Sequence, residues 1–263
     1  MKTRIISGIV MGVIVAAILA AGFLFNSIII SIAIAFMAAG AAYEHIHNAV
    51  GIKSKAALIG VCVYSALTAF TEKFTYHYLF ILSVLYFVFA VCVVLKNNKE
   101  FTLAHIASLC SLPLALSFAF VCLNGVINHV NGIYNLLLLL NFSSVCDMGA
   151  YFSGVTCGKP QLCPNVSPKK TVEGAVGGIV SSVIVTLILC LCFNKPLVMP
   201  IIFTIPLCIL GMLGDLFASS IKRAVGIKDY GNLIPGHGGI LDRVDSIIMI
   251  APAFFLLIVH GVM

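Results

Sequence analysis

The chain has 263 residues, of which 61% are hydrophobic and only 9% charged, with a formal charge of +6. A water-soluble domain carries about a quarter charged residues, and a mean hydropathy of +1.15 leaves more apolar surface than a core of this size can hide. A soluble globular protein is therefore excluded, and the long apolar runs read as helices whose solvent is lipid.

In chain order, about nine spans are expected, at roughly 5–25, 27–43, 56–71, 77–95, 103–123, 133–151, 174–193, 197–214 and 246–262, with ends set to about 2–4 residues. The fold class expected is an all-α integral membrane protein. The N-terminus imitates a secretory signal, but its apolar run is longer than the roughly 7–15 residues of such a signal, so it reads as a retained first span. Gly8, Gly12, Ala16 and Ala20 recur every four residues along it and would allow close helix approach inside a bundle. With the N-terminus inside, the inner segments hold Lys2, Arg4, Lys53, Lys55, Lys96, Lys99, Lys159, Lys169, Lys170, Lys222, Arg223, Lys228 and Arg243, the outer ones only Lys73 and Lys195. That asymmetry orients a multi-pass membrane protein with its N-terminus inside. It explains the positive charge by anionic head groups and not by nucleic acid. The ten cysteines include no CxxC pair; Cys157 and Cys163 share a loop on the reducing side and read as structural thiols.

The acids divide the chain into two regions, 1–140 and 141–263. The first carries Glu44, Glu72 and Glu100, and nothing in it converges on chemistry; Glu44, with His45 and His47, reads as an interfacial cluster at a span end. The second carries Asp147, Glu173, Asp215, Asp229, Asp242 and Asp245. Ionisable groups at membrane depth are costly and point to function. If the eighth span continues as a helix, Asp215, Ser219, Lys222 and Arg223 fall at i, i+4, i+7 and i+8 on one face, a stripe suited to a metal ion and the phosphates it bridges.

Beyond that stripe, Gly236, Gly238 and Gly239 surround His237 in a turn whose N–H groups can approach phosphate oxygens. Asp242 and Asp245 follow at i, i+3 with Arg243 between them, two carboxylates that suit a hard cation such as Mg2+. Lys228 adds a further cation. "SPKKT" brings Ser167, Lys169 and Lys170 ahead of the seventh span, while "GVTCGKP" has the wrong spacing for a phosphate-binding P-loop.

"SSIKRAVGIKDYGNLIPGHGGILDRVDS" (219–246) closely resembles the signature of the phosphatidate cytidylyltransferase (CDP-diacylglycerol synthase) family, and "DMGAYFSG" and "SPKKTVEG" resemble two further blocks of it. Ala218 stands where that family commonly has Glu, Met148 where it has Thr, and Val172 where it has Trp. The resemblance implies transfer of a cytidylyl group from CTP to phosphatidate, releasing pyrophosphate, with Mg2+ and room for a second cation such as K+. It implies catalytic roles for Asp215, Asp242, Lys222, Arg223 and His237, and substrate contacts from Lys170, Ser219, Lys228, Arg243 and Ser167. Asp215, Asp242 and Asp245 are implied as the metal ligands, in a polar site facing the cytoplasm in the C-terminal half. CTP, phosphatidate and membrane lipids are the expected partners, nucleic acid is not, and a homodimer is compatible with the sequence. The competing reading is a secondary transporter of an anionic solute, which would call for inverted repeats and charges near the mid-plane.

Overall fold

The computed structural model describes residues 2–70, 76–97, 100–233, 236 and 238–263. Glu72, Lys73, Lys99, Pro235 and His237 lie outside them. The described chain is helical apart from one small hairpin: α1 (Lys2–Leu24), α2 (Ile28–Tyr43), α3 (Lys55–Thr68), α4 (Tyr76–Lys96), α5 (Leu103–Asn128), α6 (Gly132–Leu140), α7 (Cys146–Cys157), β1 (Gln161–Cys163), β2 (Ser167–Thr171), α8 (Val172–Cys192), α9 (Val198–Ala224) and α10 (Leu241–Val259). Among the described residues, seven helical segments are long and apolar enough to cross a membrane. Large apolar side chains such as Phe36 (74%), Phe80 (72%) and Leu103 (82%) stand exposed on them. In water such surface would drive aggregation; in hydrocarbon it is the matched face.

Two of the expected spans differ from the other seven. α3 is only 14 residues long. α10 opens with Asp242, Arg243 and Asp245 before its apolar run, so charge occupies its first turn. The hairpin β1–β2, antiparallel with Gln161 opposite Thr171 and Cys163 opposite Ser167, is an addition to the expected all-α fold. It arises where Pro160, Pro164 and Pro168 forbid helix between α7 and α8.

Cα proximity divides the chain into two compact units, one of residues 1–124 with 225–244, the other of residues 125–224 with 245–263. In the first, α2 continues past Tyr43 as a π-helical turn, Glu44–Ala49. Buried polar groups tie its helices: Asn124 Nδ2 donates to Ala69 O at 2.7 Å and to Ser31 Oγ at 3.2 Å, and Tyr86 OH donates to Leu109 O at 2.6 Å. Gly12 of α1 has open space where a Cβ would stand, so no described helix of this chain approaches closely at that position of the small-residue stripe.

Close approach occurs instead in the second unit, between α7 and α8. A Cβ on Gly178 would come within 2.6 Å of Cys146 O, and one on Gly174 within 2.8 Å of Ala150 O, so only glycine fits at this crossing. α6 and α7 form one continuous pass through a second π-helical turn, Asn141–Val145. Asn141 anchors it, with Nδ2 donating to Ser182 O (3.0 Å) and Thr186 Oγ1 (2.9 Å); Thr186 in turn pairs with Thr204 Oγ1 at 2.8 Å. All ten cysteines are free.

Candidate active site

In the second unit the hairpin and three helices bring charge together. α9 runs unbroken to Ala224, as the stripe reading required, and Ser219 Oγ donates to Asp215 Oδ1 at 3.4 Å. Lys170, on β2, reaches Asp215 Oδ2 at 2.5 Å, both side chains about a quarter exposed. Apart from this ion pair, Lys170 Nζ is shut off from solvent and has no hydrogen-bond partner among the described residues. An ammonium carries three donors, so donors remain for an incoming anion.

The pair lines a cleft of about 300 Å³ whose walls include Asp147, Tyr151, Leu162, Ser167, Lys169, Thr171, Met212 and Asp215. That volume is at the lower end of small-molecule sites, about 300–1,000 Å³. Ser167, Lys170 and Asp215 were expected in the site; Asp147 was not among the site residues assigned from the sequence. Its signal was present, an acid on an apolar pass, but it stands apart from the signature.

Asp245 lies ahead of the apolar run of α10. Burial, with Asp215 and then Asp147 adding like charge, pushes its carboxyl up to about 6, against the lowering effect of the Ser246 amide and Lys222. Ser246 N donates to Asp245 Oδ1 at 2.8 Å. Lys222 is buried while its neighbour Arg223 is exposed. The expected one-face stripe therefore splits at its end, since adjacent helical residues point about 100° apart.

The loop 225–240 and the start of α10 belong to the first unit, with Lys228 and Arg243 exposed. Here Asp242 acts within the loop: its Oδ2 accepts from Tyr230 N (2.8 Å) and Gly239 N (3.0 Å). Gly236 and Gly238 hold positive φ, 78° and 85°, a backbone that L side chains rarely adopt.

Glu44 ties residues 1–140 to the signature loop, a contact that its reading as an interfacial cluster at a span end did not include. Its carboxylate is buried and accepts from Ile240 N (3.0 Å) and Leu241 N (2.9 Å). Asn48 Nδ2 donates to Tyr230 O at 2.6 Å, and His45 lies against the Tyr230 ring with centroids 5.8 Å apart. No local spacing could reveal contacts nearly two hundred residues apart.

Among the described residues, no three His, Cys, Asp or Glu side chains gather as a ready-made metal shell. Asp215 is engaged by Lys170 and Asp242 by two amides. The donor chemistry still suits a hard cation: oxygen ligands only, with Asp245, raised first by burial and then by the like charge of Asp215, a carboxylate whose ionised form a divalent ion would favour.

A multi-pass helical membrane protein with a lysine–aspartate pair lining a cleft is the class these features define. The chain belongs to the cytidylyltransferase family, whose pattern matches residues 2–260. It is 44% identical over 131 residues to a phosphatidate cytidylyltransferase of Staphylococcus saprophyticus, covering 49% of this chain and 50% of that protein. It is 45% identical over 114 residues to a phosphatidate cytidylyltransferase of Bacillus subtilis, covering 43% and 42% respectively. It also matches an uncharacterised Escherichia coli protein, YnbB, at 38% over 164 residues, covering 60% and 49%. The chain spans about half the length of the curated relatives it matches. Family membership gives the transporter reading no support.

Proposed function

We propose that this chain transfers the cytidylyl group of CTP to phosphatidate, giving CDP-diacylglycerol and pyrophosphate for phospholipid synthesis. The phosphatidate phosphate oxygen attacks the α-phosphorus of CTP, and the bond from that phosphorus to the pyrophosphate oxygen breaks. The nucleophile arrives already ionised, so the protein needs no nucleophile of its own. Its task is alignment and charge neutralisation. The observation that carries this reading is Lys170, an ion-paired ammonium with further donors to give, in a cleft beside Asp215.

Lys170 and Ser167 would grip phosphate oxygens from the hairpin. Ser219 holds Asp215 in place, and buried Lys222 offsets the charge of Asp245. Lys228, Arg223 and Arg243, all exposed, would draw in the triphosphate and the lipid head group. His237 keeps the catalytic role implied by the signature.

Mg2+, held by Asp215 and Asp245, would supply Lewis-acid stabilisation of the leaving pyrophosphate. The further expectation that Asp242 is a ligand is tested by its Asn variant, and K+ remains a candidate second cation.

The proposal includes nine crossings of the plasma or inner membrane, with residues 141–263 carrying the chemistry and the site facing the cytoplasm. It leaves room for a homodimer. The exposed thiol of Cys157 gives a test of orientation: a membrane-impermeant thiol reagent should reach it from the cytoplasmic side only, and labelling from outside would reverse the topology.

The activity itself is tested by incubating purified protein with labelled CTP, phosphatidate and Mg2+. Labelled CDP-diacylglycerol is the expected product, and its absence with competent lipid and metal would refute the reading.

A further inference from the structure

We propose that Glu44 is a positioning residue, the buried anchor that sets the glycine-rich signature loop for reaction. A carboxylate this deeply buried, 5% exposed, is costly unless its charge is met. Among the described residues no Lys or Arg pairs with it. Its charge is met by two backbone donors, Ile240 N and Leu241 N, one on each oxygen, at the N-terminal, positive end of α10. With both oxygens engaged, Glu44 acts through the loop and not on a substrate directly.

The surrounding sequence fits this anchor. A Cβ on Gly231 would stand 2.5 Å from Glu44 Oε1, and one on Gly239 would overlap Oε2. Neither glycine holds a positive φ, so it is the pinned carboxylate, and not loop conformation, that favours glycine at both positions. The loop is gripped again at Tyr230, whose C=O accepts from Asn48, one turn beyond Glu44, and whose N–H donates to Asp242. The segment between the two grips holds Gly236 and Gly238 at positive φ and is flanked by Lys228 and Arg243.

The test uses the full chain in lipid nanodiscs and has two arms. The first measures amide exchange by mass spectrometry in wild type, Glu44→Gln and Glu44→Ala. Loss of charge-assisted bonds should speed exchange across 239–242 about tenfold or more in the Ala variant, and less in the Gln variant, which keeps one acceptor. Peptides of α8 should exchange as before. Unchanged exchange at 239–242 overturns the proposal.

The second arm rests on the function proposed above and measures steady-state kinetics. The KM for CTP or phosphatidate should rise about threefold or more in Glu44→Gln. Gly239→Ala should impair the wild type yet cost less than about twofold further in the Glu44→Ala background, because the overlap is gone. A fall in kcat with both KM values unchanged marks a merely structural contact and overturns the positioning role. A wild type that makes no CDP-diacylglycerol refutes the reading of function, while the exchange arm still decides the anchor.

Discussion

The cleft around Lys170 and the loop around Asp242 are both rich in charge, yet their electrostatics differ. In the second unit the groups are incompletely satisfied: Lys170 in the cleft has donors to spare, and Asp245, raised first by burial, also meets the like charge of Asp215 and Asp147. In the loop, Glu44 and Asp242 each accept two backbone amides. The first arrangement leaves free energy to be gained by binding, whereas the second uses its charge to hold a backbone in shape. Acidic residues within one signature can thus serve opposite purposes, and the hydrogen-bond count separates them.

The largest expected effect falls on the cleft. Asp215→Asn removes the charged partner of Lys170 and a carboxylate from the proposed cation site, and should lower turnover about a thousandfold while the protein still inserts. Lys170→Gln should cost about a hundredfold and leave the Mg2+ requirement unchanged, since no metal ligand is lost. Steady-state rates across Mg2+ concentrations check both. Near-normal rates in either variant would erase the contrast with the loop.

A smaller effect is expected at Asp242. The Ala variant removes the acceptor of two amides and should lower Tm by a few degrees, as loss of a cap does. Asp242→Asn keeps an acceptor oxygen and should hold Tm near wild type. Severe loss of turnover in the Asn variant at unchanged Tm would assign Asp242 to the cation as well. An unchanged Tm in the Ala variant would show that the cap carries no stability.

The smallest effect is a pH dependence at Asp245. Its carboxyl is raised to about 6 in the folded protein, above the ordinary value of about 3.9, so ionisation costs the folded state. That cost is complete above about pH 6 and fades as the pH falls towards 4. In cation-free protein, Asp245→Asn should therefore raise Tm slightly at about pH 7.5, with the gain vanishing near pH 4. Added Mg2+ should stabilise the wild type more than this variant at the higher pH. A gain of equal size at both pH values would sink the assignment.

Much of this was legible in the sequence because membrane helices announce themselves by length and apolarity. The i, i+4 relation of Asp215 and Ser219 likewise needs only a helix to become contact. The hairpin was less legible, since its five-residue strand Ser167–Thr171 has no apolar alternation to mark it, and its position decides where Lys170 goes. Glu44 was illegible for another reason. Its partners are backbone amides, which every residue carries, so no side-chain pattern at 240–241 could name it. Arg223 shows a further limit: shared helical spacing with Lys222 says nothing of which one the packing will cover.

The two π-helical turns, Glu44–Ala49 and Asn141–Val145, have a consequence for insertions and deletions. A π turn accommodates one residue more than the α-helix needs; the first of these contains Glu44 and the second ends two residues before Asp147. Deleting a single residue from 141–145 would let the pass relax to regular α-helix. Everything after it, Asp147 included, would keep its orientation, because the turn already absorbs that one residue. At these two places the chain therefore tolerates the loss of one residue, whereas a one-residue deletion elsewhere in the same pass would turn everything beyond it by about 100°.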